Sequence, residues 1–202
     1  MGLTRTARLD AVNTMLSVIG EAPVNTLDAS SQTTDVAMAK SMLDEVSREV
    51  QANGWHFNRE YEVSLSPDSS NNILIPTNAA RVDVEPADSR NKDYVQRGDK
   101  LYNKTDATYT ITDAKKCTII YLLDWEDLPQ AARQYIMIRA ARKFQDRVVG
   151  SGKHHDFTAM DEMNALIMLR SDEADSGDFS IFDNYDVGRV VDRGNVRNKV
   201  SN

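Results

Sequence analysis

The sequence predicts an α+β protein: a helical bundle built from both chain ends, an inserted antiparallel β domain and an extended C-terminal arm. Three observations predict it. Apolar residues recur at steps of three and four within residues 1–54 and again within 124–175. Between them, over 55–123, the period falls to two and turn residues cluster. Over 176–202 no period survives, although apolar residues remain. Helices at both ends and strands between them place the β segment as an insertion.

The first helix carries Leu9, Val12, Leu16 and Ile19 on one stripe, with Gly20 and Pro23 as stop signals. An extended link, Val24–Leu27, leads to Ser30 or Ser31 as the expected cap of a second helix. That helix shows Val36, Ala39, Leu43, Val46 and Val50, with Lys40–Asp44 and Asp44–Arg48 as supporting pairs and Gly54 as its end. Strand alternation follows in Tyr61, Val63 and Leu65, in Val82 with Val84, and in Tyr109 with Ile111. Pro67, Asn71, Asn72, Pro76 and Pro86 punctuate it. Tyr94–Arg97 and Lys100–Asn103 flank Gly98-Asp99 as a hairpin, and the apolar run Cys117–Leu123 reads as the best-buried strand. A third long helix opens at Pro129 behind Asp124, Glu126 and Asp127 and carries Ala132, Ile136, Ala140, Phe144 and Val148. A fourth starts near Asp156, with Phe157, Met160, Met163 and Ile167 as its core stripe, and dissolves in the acidic run Asp172–Asp178.

Composition narrows the function classes. The chain has 202 residues, 41% hydrophobic and 27% charged, which is globular and neither disordered nor collagenous. No run reaches the ~18 apolar residues of a membrane span, so no membrane role is expected. Met1–Asp10 has no apolar block behind its arginines and is not a secretory signal. Cys117 is the single cysteine and cannot close an intrachain disulfide. A net charge of −7 argues against a general nucleic-acid coat.

Few constellations carry chemistry. His154-His155 lacks the spacing of a zinc helix, and Cys117 lies in an apolar strand, so no metal and no catalytic thiol is expected. No phosphate-binding glycine loop or dinucleotide fingerprint occurs, so no cofactor is expected. Arg97-Gly98-Asp99 spells an adhesion tripeptide that a hairpin turn needs in any case. Asp124, Glu126 and Asp127 around Trp125 supply the acids and stacking ring of a glycoside hydrolase, or simply helix-start acids beside a core tryptophan. Arg139, Arg142, Lys143 and Arg147 form a basic stripe. It reads as a solvated face answering Asp156, Asp161 and Glu162, or as a contact for an acidic partner subunit. In the arm, Phe179, Ile181, Phe182 and Tyr185 are apolar anchors, and Arg189 and Arg193 are clamps for an acidic neighbour. Residues 189–202 carry net +3, so the arm reads as a segment that docks on something else.

The run Leu9–Leu16 followed by Val18-Ile19-Gly20-Glu21-Ala22-Pro23 resembles the opening of the tail tubular protein A family, head-to-tail adaptors of T7-like short-tailed bacteriophages. The likeness continues through Asn53-Gly54-Trp55-His56-Phe57-Asn58 and Val95-Gln96-Arg97-Gly98. It is strongest at Leu123-Asp124-Trp125-Glu126-Asp127-Leu128-Pro129 and resumes at Ala140-Ala141-Arg142-Lys143-Phe144, covering about residues 9–175 in order. The resemblance implies a virion tail protein, made in the host cytoplasm and not an enzyme. It implies a homo-oligomeric, dodecameric ring between the portal protein and the tail nozzle protein, near the tail fibre. Genomic DNA would pass through the channel without specific binding. It also leaves room for one alternative, a tail-associated hydrolase of peptidoglycan or capsule glycans.

Overall fold

The computed structural model describes residues 4–28, 33–89, 92–148, 150 and 158–177. Four long helices, α1 (Arg8–Ser17), α2 (Thr34–Gln51), α4 (Gln130–Val148) and α5 (Ala159–Ser176), flank a β segment in the chain. The β segment holds β1 (Arg59–Leu65), β2 (Ala79–Val84), the single-turn α3 (Pro86–Ser89), β3 (Tyr94–Arg97), β4 (Lys100–Asn103) and β5 (Lys115–Tyr121). The protein is therefore mixed α+β with antiparallel sheets.

One apolar cluster joins the four long helices. Val12, Met15 and Leu16 of α1 meet Val36, Ala39, Leu43, Val46 and Val50 of α2, Ile136, Ala140 and Phe144 of α4, and Leu169 of α5. The α2 stripe read from the sequence is buried at every position. Asn13 holds the link after α1, its amide accepting from the Val24 N–H (2.9 Å) and donating to the Val24 carbonyl (3.0 Å). The cap of α2 is Thr33, whose hydroxyl accepts from the Val36 N–H, so the expected caps Ser30 and Ser31 are not used; both lie outside the described residues. The expected pairs within α2 also give way. Asp44 pairs with Arg8 across to α1, and Lys40 donates to the Leu27 carbonyl.

A second cluster lies within the β segment, around Ile73, Leu101, Cys117 and Ile119. The run Cys117–Leu123 supplies most of β5, the centre of a three-stranded antiparallel sheet ordered β1-β5-β2. β3 and β4 form the expected hairpin, with Gly98 at φ +61° in its turn. Two expectations fail here. Tyr61 points to solvent because a bulge between Glu60 and Val63 shifts the register of β1, with Glu62 at φ 55°. Tyr109 and Ile111 belong to no strand; Ile111 is buried from an irregular segment that bridges Asn103 through Thr108.

Buried amides join the two clusters. Gln51, at the end of α2, donates to the Leu123 carbonyl (3.1 Å) and accepts from the Leu123 N–H (2.7 Å). Asn58 donates to the carbonyls of Gln51 (2.9 Å) and Tyr121 (2.7 Å). Two side chains thus replace a sheet ladder where helix meets strand, and both are fully satisfied where water cannot reach.

α5 departs most from expectation. It begins after Thr158, which forms a capping box with Asp161, and it runs through the acidic stretch to Ser176. Its buried residues are Ala165 and Leu169, whereas Met160, Met163 and Ile167 face outward. The periodicity is real, but the face is the opposite one.

Candidate assembly interface

The basic stripe of α4 lies between α2 and α5 and is answered from both. Arg139 donates to Glu162 of α5 (2.9 Å), to Glu49 of α2 and to the Tyr135 hydroxyl (3.0 Å). Arg142 donates to the other oxygen of Glu162 (2.6 Å), and Lys143 to the second oxygen of Glu49. Arg147 holds Glu45 through two nitrogens (2.9 and 3.1 Å). The Arg147 hydrogen bond holds the Glu45 carboxyl below its ordinary pKa, and Lys143 followed by Arg139 does the same for Glu49. Of the acids expected to answer the stripe, Glu162 does so, Asp161 caps its own helix and Asp156 lies outside the described residues. Glu45 and Glu49 are partners that sequence reasoning missed. Their own spacing of four, matching that of Arg139, Lys143 and Arg147, is the signal that could have found them.

The stretch Asp124–Arg133 is a clasp for the N-terminal segment. Trp125 opens a 3-10 turn (Trp125–Asp127) and is only 6% exposed; its indole N–H donates to the Thr6 carbonyl (3.0 Å). Arg133 is 4% exposed and donates to three carbonyls, those of Leu128 (3.0 Å), Thr6 (2.9 Å) and Glu126. Burial lowers its pKa, yet each of its three nitrogens donates to a carbonyl. Gln130 completes the clasp, accepting from the Thr6 N–H (2.9 Å) and donating to the Thr6 hydroxyl (2.7 Å). A hydrolase needs the ring of Trp125 open for stacking, and here the ring is nearly buried with its indole N–H used inside the protein. Asp124, Glu126 and Asp127 are exposed around it.

Other candidate chemistry is absorbed by structure. Burial, with Glu85, Asp83 and Asp88 nearby, pushes the Cys117 thiol up to about 11, so it stays protonated. The Arg97 guanidinium stacks on Tyr102 at 3.8 Å, and Tyr102 meets Tyr109 edge to face at 4.8 Å. The Asp99 carbonyl accepts from Ile75, which ties the turn to the sheet region. Among the described residues no group of three or more His, Cys, Asp or Glu converges on a metal position, and no helix is long and apolar enough to cross a membrane. His154, His155, Phe179, Ile181, Phe182, Tyr185, Arg189 and Arg193 lie outside the described residues.

Comparison with known proteins agrees with a structural rather than a chemical site. Residues 9–179 match the family model of tail tubular proteins. Tail tubular protein A of Klebsiella phage KP34 is 26% identical over 163 residues, which cover 80% of this chain and 84% of that protein. The matched region contains the clasp, the ion-paired stripe and all of α5. The chain belongs to the tail tubular protein family and is a structural component of a phage tail.

Proposed function

We propose that this chain is a non-enzymatic adaptor of a short-tailed phage tail. Twelve copies form a ring that joins the portal protein to the tail nozzle protein, extends the DNA channel and lies against the tail fibre. The observation that carries this reading is the family match over residues 9–179. Within that ring, residues 1–54 and 124–175 act as one helical module, 55–123 as an inserted β module and 176–202 as an arm. The internal use of charge supports the reading. With the α4 cations already held by Glu45, Glu49 and Glu162, contacts between copies fall to apolar surface and to the arm. A ring needs head-to-tail contacts, in which one patch meets a different patch on the next copy.

The test is reconstitution with the portal and nozzle proteins of the same phage. Electron microscopy of the mixture should show this chain as a twelvefold ring between them. Portal and nozzle joining directly without it would refute the adaptor role.

A further inference from the structure

We propose that the outer face of α5, together with the groove it forms against α4, seats residues 178–202 of a second copy of this chain. The proposal rests on the adaptor reading only in expecting many copies side by side.

α5 is apolar on two faces. Ala165 and Leu169 point into the helical core, while Met160 (67% exposed), Met163 (54%), Ile167 (55%) and Met168 (69%) point away from it. Positions 160, 163 and 167 share one helical stripe, and Met168 extends it towards α4. A helix that is apolar on both sides has a partner on each. Beside Met168 lies a groove of about 410 Å³ whose floor is Ala131 and Ala165 and whose rim is Gln130, Gln134 and Asp172. Two alanines leave depth where larger side chains would fill it, which suits an aromatic ring. Unbranched methionines adapt their shape to whatever enters.

The occupant follows from the chain beyond Gly177. Phe179, Ile181, Phe182 and Tyr185 fall within seven residues, so an extended strand carries them over roughly 20 Å. Met160 to Met168 spans roughly 12 Å of helix, so one such strand covers the stripe and reaches the groove. Charge agrees for the arm's end. Its four bases all fall within residues 189–202, net +3, and α5 exposes Asp172 and Asp175 to meet them. Reach favours a neighbour over the same chain. On its own helix the arm starts at Gly177, with Met168 roughly 13 Å back along the axis. Phe179, two residues on, spans only about 7 Å and falls short of the stripe. On another copy all four apolar side chains remain available.

The test uses full-length protein. Met168→Cys and Phe182→Cys variants are mixed under mild oxidation, with wild type as control because Cys117 is buried. Disulfide-linked dimers in excess of either variant alone are expected. No excess dimer, or a disulfide closing within one chain of the double variant at high dilution, overturns the proposal. Met168→Glu alters an exposed site and should leave circular dichroism unchanged while weakening copy–copy association roughly tenfold or more. Unchanged association also overturns it. Portal binding by the same proteins separates the two readings: binding without cross-links removes only the seat, and absence of portal binding by wild type removes the adaptor.

Discussion

Gly54 ends α2 at φ +73°, and a Cβ there would lie 2.3 Å from Cδ1 of Ile120 in the central strand. Gly98, at φ +61°, has nothing within 4 Å of the same position. The two glycines therefore separate backbone strain from steric clash. Gly98→Ala should cost about 1 kcal/mol, the penalty of a left-handed alanine. Gly54→Ala should cost about 2–4 kcal/mol in urea titration, because overpacking adds to it; equal costs would show that Ile120 moves aside freely. Arg133 makes a second prediction at this scale. Replacing it by Met removes the donor from the carbonyls of Leu128 and Glu126 and leaves Thr6 with Trp125 alone, at about 3 kcal/mol. The loss should appear first as faster hydrogen exchange and altered Trp125 fluorescence at the N-terminal clasp. Gly54 as a stop was legible in the sequence. The work of Arg133 was not, because its partners are backbone carbonyls, and a carbonyl has no letter in the sequence.

Period separates helices from strands, which is why α1, α2 and α4 could be read from spacing, while β5 was legible as a nearly unbroken apolar run. Period does not say which stripe faces inward when a helix has two. In α5 the larger side chains, Met160, Met163 and Ile167, formed the more obvious stripe, yet Ala165 and Leu169 are the ones packed against α4. The reason lies in Glu162 and Glu173. Glu162 bridges Arg139 and Arg142, and Glu173 accepts from the His56 N–H, so both carboxylates lie on the packed side and fix the rotation of the helix. A bulge defeats a period-two reading in the same way, as Tyr61 shows. The helix–helix carboxylates also set a pH dependence. Glu45 and Glu49 have pKa values lowered in the folded state by their basic partners, so what they contribute is present above the ordinary carboxylate range and is lost as pH falls through the lowered values. The melting temperature should therefore fall on acidification below about pH 4. Glu49→Gln should flatten that decline and cost about 0.5 kcal/mol at neutral pH, the screened worth of a half-exposed pair. An unchanged acid limb would mean that the α2–α4 ion pairs do not hold in solution.

Across the whole molecule the polar chemistry is turned inward. The stretch that resembled the family most, Leu123–Pro129, is part of the fastening of the chain's start to α4. The arm, the other half of the candidate site, could be read from composition as sticky at its root and basic over 189–202, but composition carries no address for where it docks. One consequence concerns DNA. Protein surfaces bind duplex DNA by releasing counterions through unpaired Lys and Arg, and the binding weakens steeply with salt. Here the most concentrated cations, Arg139, Arg142, Lys143 and Arg147, are each held by a glutamate, and the chain carries −7 overall. If the chain lines a channel as proposed, this balance would let a polyanion pass without gripping it. Purified protein should give no shift of duplex DNA in a gel at physiological ionic strength. The variant Glu45→Gln/Glu49→Gln, which frees Arg147 and Lys143, should show weak binding that disappears as salt rises. Strong binding by the wild type, with a steep salt slope, would mean that cations elsewhere on the surface face the channel.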